Sequence, residues 1–246
     1  MTDAPATRRN FLRQTSAVGA GLLVPALGFA IPQKPPAPQE HPQEQKTEEP
    51  TAAENISPAE DLMREHGVLN RILLIYDEHL RRLAAKQPFD GSVLASAADI
   101  VRHFVEEYHE KLEEEFLFPR FRKANKHVSL VDTLLAQHKA GRELTAQIRE
   151  LGALGTFKYV SDSDKLAEAL RAFLRMYRPH EAREDTVLFP AFRSLVSAHE
   201  YDALGEDFEK KEDELFGDEG FFKVVDQVAQ LERKLGLYEL SQFTPK

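Results

Sequence analysis

The chain has 246 residues, 42% of them apolar and 30% charged, and contains neither Cys nor Trp. That apolar content is too high for a disordered chain and is enough to build a buried core. Without Cys, disulfides, thiolate metal sites and cysteine nucleophiles are excluded, so any metal must sit on imidazole and oxygen. The formal charge of −9 argues against a nucleic-acid partner.

The first thirty residues do not read as part of a fold. Arg8 and Arg9 precede Phe11-Leu12-Arg13, an apolar run extends from Ala17 to Ala30, and Gly28-Phe29-Ala30 offers small residues for signal-peptidase cleavage. The apolar run is too short to span a bilayer comfortably. Residues 1–30 resemble a twin-arginine export signal. That resemblance implies a periplasmic protein, exported after folding, with no stable membrane insertion once the signal is removed. Residues 31–56, rich in Pro, Gln, Glu and Lys, read as a solvated linker. Ser57-Pro58 then reads as a helix N-cap followed by Pro at the first helical position.

From residue 57 the pattern is helical. Leu62, His66, Leu69, Leu73, Tyr76, Leu80 and Leu83 alternate four and three apart, one stripe of a helix. Leu166, Leu170, Phe173, Tyr177, His180, Glu184 and Val187 repeat the rhythm. Helical runs of about 93–124 and 128–151 lie between, with short loops and no strand alternation. The expectation is an all-α, up-down-up-down four-helix bundle over 57–198. Residues 199–246 predict two more helices, around 199–215 and 219–235, packed on the bundle as an extension.

The bundle repeats itself. Residues 109–122 read HEKLEEEFLFPRFR and residues 180–193 read HEAREDTVLFPAFR, identical at eight of 14 positions. His66 precedes His109 by 43 residues and His138 precedes His180 by 42. Arg71 follows His66 at nearly the spacing at which Arg142 follows His138. Two helical hairpins related by an approximate two-fold are therefore expected.

Within the stripes His66, His180 and Glu184 stand where Leu would otherwise sit, and His138 follows Val131, Leu134 and Leu135. A His and a Glu four residues apart lie roughly 40° apart on a helix, so both can reach one ion. His109 with Glu113 and His180 with Glu184 form two such pairs. Burying these polar groups costs several kcal/mol unless each finds a partner, and a metal pair satisfies them together. The Leu-Phe-Pro runs at 117–119 and 188–190 read as packing and kink elements. His79, His103, His127 and His199 have no counterpart in the other half. Replacing His79 by Ala is accordingly expected to change neither metal content nor melting temperature.

At these residues the chain resembles the hemerythrin-like family, the HHE cation-binding domain, over roughly residues 58–196. The motif is a His near the start of one hairpin helix and His-x3-Glu-x5-Pro in the next, both present twice. The resemblance implies a bridged non-haem di-iron centre that binds dioxygen or related small ligands, or handles iron. Carried over by position, its metal ligands are His66, His109, Glu113, His138, His180 and Glu184. Oxygen carriers have a second His where this chain has Arg142, and often a carboxylate at the place of Asp185. Glu184 has the better angular fit and a duplicate in Glu113, with Asp185 the second candidate. Glu110 and Glu181 follow their histidines directly and are expected to support the ligands by hydrogen bonds.

The leading reading is a protein holding two iron ions that binds or senses a small gaseous ligand, dioxygen or nitric oxide, or handles iron. The others are a di-iron oxidase or peroxidase and a metal-free structural bundle. Ferritin-type oxidases place Glu-x-x-His on paired helices; Glu106-x-x-His109 occurs once and Tyr177-x-x-His180 lacks the acid. No duplicated general base or substrate motif is visible, which points away from an enzyme. Bridging carboxylates suit iron better than tetrahedral zinc.

Overall fold

The computed structural model describes residues 56–88, 90–155 and 159–245. The export signal expected over 1–30, and the linker up to residue 55, lie outside them. The described residues form six long helices, a short 3-10 helix at Leu240–Phe243 and no strand.

Helix α1, Pro58–Ala84, begins as its sequence requires. The Ser57 hydroxyl accepts the Glu60 N–H at 3.2 Å, Pro58 gives up no hydrogen bond in the first turn, and Glu60 and Asp61 sit at the positive end of the helix dipole. Helix α2 occupies 91–123, capped by Asp90, whose carboxylate accepts the Ser92 N–H at 3.0 Å. It starts as an α-helix over Gly91–Ile100, widens to π-helical turns over Val101–His109, returns to α over Glu110–Leu112, widens again over Glu113–Leu117 and ends as α over Phe118–Lys123. Helix α3 is Val128–Ala153. Helix α4 occupies 160–192 and contains one wide stretch, Glu184–Leu188, between Val160–Arg183 and Phe189–Phe192. The two stretches at 113–117 and 184–188 begin on Glu and run into Phe-Pro. Proline lacks an N–H and clashes with the carbonyl four residues back, and a wide turn relieves both.

Each of α1 and α3 packs against both α2 and α4, so the four helices close around one core. Glycine permits the closest approaches. A Cβ on Gly91 would collide with the Gly152 carbonyl at the α2–α3 junction, and one on Gly141 would collide with the Tyr177 hydroxyl between α3 and α4. The stripe residues Leu62, Leu69, Leu73, Tyr76, Leu166, Leu170, Phe173 and Tyr177 are all buried. Val187 is not. The wide turn adds a residue and shifts the stripe by one, so Leu188, with its counterpart Leu117, takes the core position. Each buried Phe contributes roughly 1.5–3 kcal/mol.

Helices α5 (Ala198–Phe216) and α6 (Gly220–Leu235) lie on the bundle, both against α1 and α2. Phe208 meets Phe116 edge-on, and Phe216 meets Phe104 and Tyr108. Arg71 forms a two-pronged ion pair with Glu232 of α6, and Lys211 and Arg120 link α5 and α2 through Glu115 and Glu200. The buried Glu212 accepts the Phe221 N–H at 2.7 Å, a side-chain partner for the first turn of α6. No helix of the described residues is long and apolar enough to cross a membrane.

His79 corrects an expectation. It is fully buried, its Nδ1 lies 2.8 Å from the Ile75 carbonyl and its Nε2 3.2 Å from the Asp90 carbonyl. Burial lowers its pKa, so the neutral ring donates to one of the two and packs against the cap of α2. It lacks a counterpart because it serves one loop and not the repeat. His79→Ala should leave metal content unchanged but cost about 1–3 kcal/mol from the orphaned polar groups, read as a lower midpoint in thermal denaturation. An unaltered midpoint would show that these bonds contribute nothing.

Candidate metal centre

Six side chains converge at mid-bundle, one His each from α1 and α3 and a His-Glu pair each from α2 and α4. His66, His109, Glu113, His138, His180 and Glu184 are all at most 4% exposed. Donor atoms of His66, His109 and Glu113 lie within 4.8 Å of one another, and so do those of His138, His180 and Glu184. The carboxylates cross between the groups. The Glu113 carboxylate stands 3.8 Å from His109 Nε2 and 3.4 Å from His138 Nε2; that of Glu184 stands 3.1 Å from His180 Nε2 and 3.4 Å from His66 Nε2. Donors cis on one ion, each about 2.1 Å from it, are about 3 Å apart. The spacing suits two cations spanned by both carboxylates.

Every imidazole presents Nε2 to this centre and Nδ1 to an acceptor behind it. The Nδ1 atoms lie 2.7 Å from Asp185 for His66, 2.8 Å from Glu65 for His109, 3.1 Å from Glu114 for His138 and 2.9 Å from Gln137 for His180. A proton on Nδ1 donates to each acceptor and leaves Nε2 with its lone pair inward, the tautomer a metal needs. The acceptors stand at positions related by the two-fold. Glu65 and Gln137 each precede a helix histidine, while Glu114 and Asp185 each follow a central glutamate. Phe189 stacks on His66 and Phe118 on His138, at 5.4 and 5.5 Å between centroids. The duplicated Leu-Phe-Pro runs therefore clamp two of the rings.

The protonation states conflict. Burial opposes charge on His66, but Asp185 and Glu184 outweigh it and raise the pKa well above the ordinary value; burial and the His66 charge depress His109 well below it. Burial and then Glu184 push the Glu113 carboxyl up to about 8, while His180 and His66 draw Glu184 down against burial. His138 is pushed up to about 10 against burial by Glu110, Glu113 and Glu114. Among the described residues, both oxygens of Glu113 and Glu184 and the Nε2 atoms of His109 and His138 are buried without a hydrogen-bond partner. Cations would neutralise both carboxylates and occupy these atoms, so the donor set fits metal.

Asp185, the second candidate to Glu184, does not face the centre, because its carboxylate is engaged by the back of His66. Two expectations are corrected. Glu110 and Glu181 do not contact the rings. Glu110 accepts the Tyr177 hydroxyl at 2.8 Å and pairs with Arg142 at 2.8 Å, while Glu181 accepts the Asn70 amide. The counterpart of Arg142 is thus Asn70, four residues after His66, and not Arg71. The residues that back the rings were missed, although Glu65 and Gln137, each just before a histidine, were a readable signal. His103, His127 and His199 are exposed.

The hemerythrin HHE cation-binding domain model matches the chain over two overlapping stretches, residues 57–156 and 129–239. The chain is 42% identical over 244 residues to an uncharacterized protein of Mycobacterium bovis, and equally to uncharacterized proteins of two strains of Mycobacterium tuberculosis. Each alignment covers 99% of this chain and 93% of the relative. No solved structure matches this chain significantly. The chain belongs to the hemerythrin HHE cation-binding family, and the buried cluster of His and Glu lies within the matched region.

Proposed function

We propose that His66, His109, Glu113, His138, His180 and Glu184 hold two iron ions, with Glu113 and Glu184 bridging, and that the protein binds or senses a small ligand such as dioxygen or nitric oxide, or handles iron. The observation that carries this is the two-fold convergence of four inward Nε2 atoms on two carboxylates whose buried oxygens have no other partner among the described residues. Iron bound there would supply ligand binding and redox chemistry. The chain's own residues do the rest. Asp185, Glu65, Glu114 and Gln137 orient the rings, and Phe118 and Phe189 pin two of them. The twin-arginine-like run at Arg8 and Arg9 supports export to the periplasm.

Reversible oxygen carriage is not favoured. Arg142 stands where a further histidine would complete one metal, and a guanidinium offers no lone pair. It is engaged instead with Glu110 and with Glu114 at 2.6 Å. Four protein donors per ion would leave room on both metals for solvent or ligand, whereas a carrier needs one metal filled.

Aerobically purified protein should contain about two irons per chain. His109→Ala and His180→Ala should each lose metal and lower the melting temperature, by about 2–4 °C for every kcal/mol lost in a domain of this size. One ion per chain, or zinc preferred under iron-replete growth, would overturn the di-iron reading. The reduced protein should oxidise in air and fail to recover when the oxygen pressure is lowered; repeated recovery of its spectrum under vacuum without reductant would establish a carrier. Replacing Arg8 and Arg9 by Lys should hold the precursor in the cytoplasm, and undiminished periplasmic protein would exclude that route.

A further inference from the structure

The two-fold that relates the candidate ligands is broken one layer out. Behind the pair His66 and His109 stand two carboxylates, Asp185 at 2.7 Å and Glu65 at 2.8 Å. Behind the pair His138 and His180 stand one carboxylate and one neutral amide, Glu114 at 3.1 Å and Gln137 at 2.9 Å. The remaining carboxylate, moreover, is shared. Glu114 also accepts from Arg142 at 2.6 Å and from Lys111, so its charge is spread over two cations before it reaches the His138 ring. The matching place on the other side is Asn70, which brings no charge. Both departures act in one direction. Gln137 in place of a glutamate removes a negative charge beside His180, and Arg142 in place of an asparagine adds a positive one beside His138.

An imidazole that donates Nδ1–H to a carboxylate is a stronger Nε2 base, and such outer partners change metal affinity by about 10- to 100-fold. A cation is also held more tightly where the fixed charge around it is more negative, most of all in a dry interior. We infer that the two positions are unequal and fill in order, with the His66–His109 position taking its cation first and Glu65 as the positioning residue that makes it the tighter one. This rests on the proposed metal centre and adds to it a sequence of occupancy that the ligands alone, matched one for one across the two-fold, do not produce.

The test is an anaerobic calorimetric titration of the metal-free full chain with iron(II). The wild type should bind two equivalents in two steps. Glu65→Gln should weaken the first step about 10- to 100-fold, bringing the two together. Gln137→Glu, which removes no existing group, should tighten the second step and leave the first unchanged. His180→Ala should keep the tight step and lose the weak one; combined with the exchange Glu65→Gln/Gln137→Glu, it should instead lose the tight step. Circular dichroism checks that each variant keeps its helices. Two equal equivalents in the wild type, a tight step that survives Glu65→Gln in a folded protein, or loss of the tight step in folded His180→Ala would overturn the inequality. Failure of the wild type to take up iron at all would overturn the metal centre itself, so the two failures are distinguishable.

Discussion

Four imidazoles and two carboxylates meet in the dry middle of this bundle, and burial leaves them few states in which to coexist. Two adjacent carboxylates cannot both be ionised there without positive charge between them. The imidazoles cannot supply it all by protonation, since each imidazolium raises the cost of the next. Each Nδ1 is already committed outward, so partial protonation of the rings, with Nε2 facing the carboxylates at 3.1–3.8 Å, is what the chain alone can offer the inward atoms. The pKa values of Glu113 and Glu184, driven apart in opposite directions, express this conflict. A pair of cations would resolve it. The helices around the centre do little else at that level than hold these groups in register.

How they hold them follows from local structure. A regular helix carrying His-x3-Glu-x5-Pro would have its proline clash with the turn that bears the glutamate. The wide turns at 113–117 and 184–188 absorb that clash and rotate the following residue, so that Phe118 and Phe189 swing onto the rings of His138 and His66. One duplicated stretch thus supplies a candidate ligand pair, an acceptor for a ring on another helix and the aromatic face that clamps that same ring. This is why the repeat extends beyond the histidine and glutamate to Leu-Phe-Pro. The extension α5–α6 serves a different purpose. It covers Phe104, Tyr108 and Phe116 on α2 and anchors to α1 through Arg71 and Glu232. It brings Glu212 within 4.8 Å of Asp61 and of Glu65, the acceptor behind His109.

The all-α architecture and the convergence of the two halves were legible in the chain because both rest on strictly local spacing. A stripe alternating three and four apart states which face of a helix is buried, and a repeated His-x3-Glu states that two such faces carry the same polar groups. The gathering of His66, His109, Glu113, His138, His180 and Glu184 follows from those stripes as soon as the helices pack. The stripe misled at Val187, where a non-α turn breaks the period on which the reading depends, and its last residues, Leu80 and Leu83, are only partly buried at the end of α1.

What lay one contact further out was decided by tertiary structure alone. Glu65 and Gln137 sit beside histidines in the chain, yet each serves the histidine of a different helix, and no spacing along one strand of sequence specifies which. Glu110 and Glu181 looked like the nearer supports by position, but the helix turns them toward Tyr177 and Arg142, and toward Asn70. His79 continues the buried stripe Val68, Ile72 and Ile75 but has no counterpart in the other half, and the carbonyls beside its ring come from a helix turn and a loop that meet only after folding. Sequence determined the inner donors, since they repeat with the helix; packing determined the acceptors behind them, because a hydrogen bond between helices depends on which residues face each other and not on how far apart they lie along the chain.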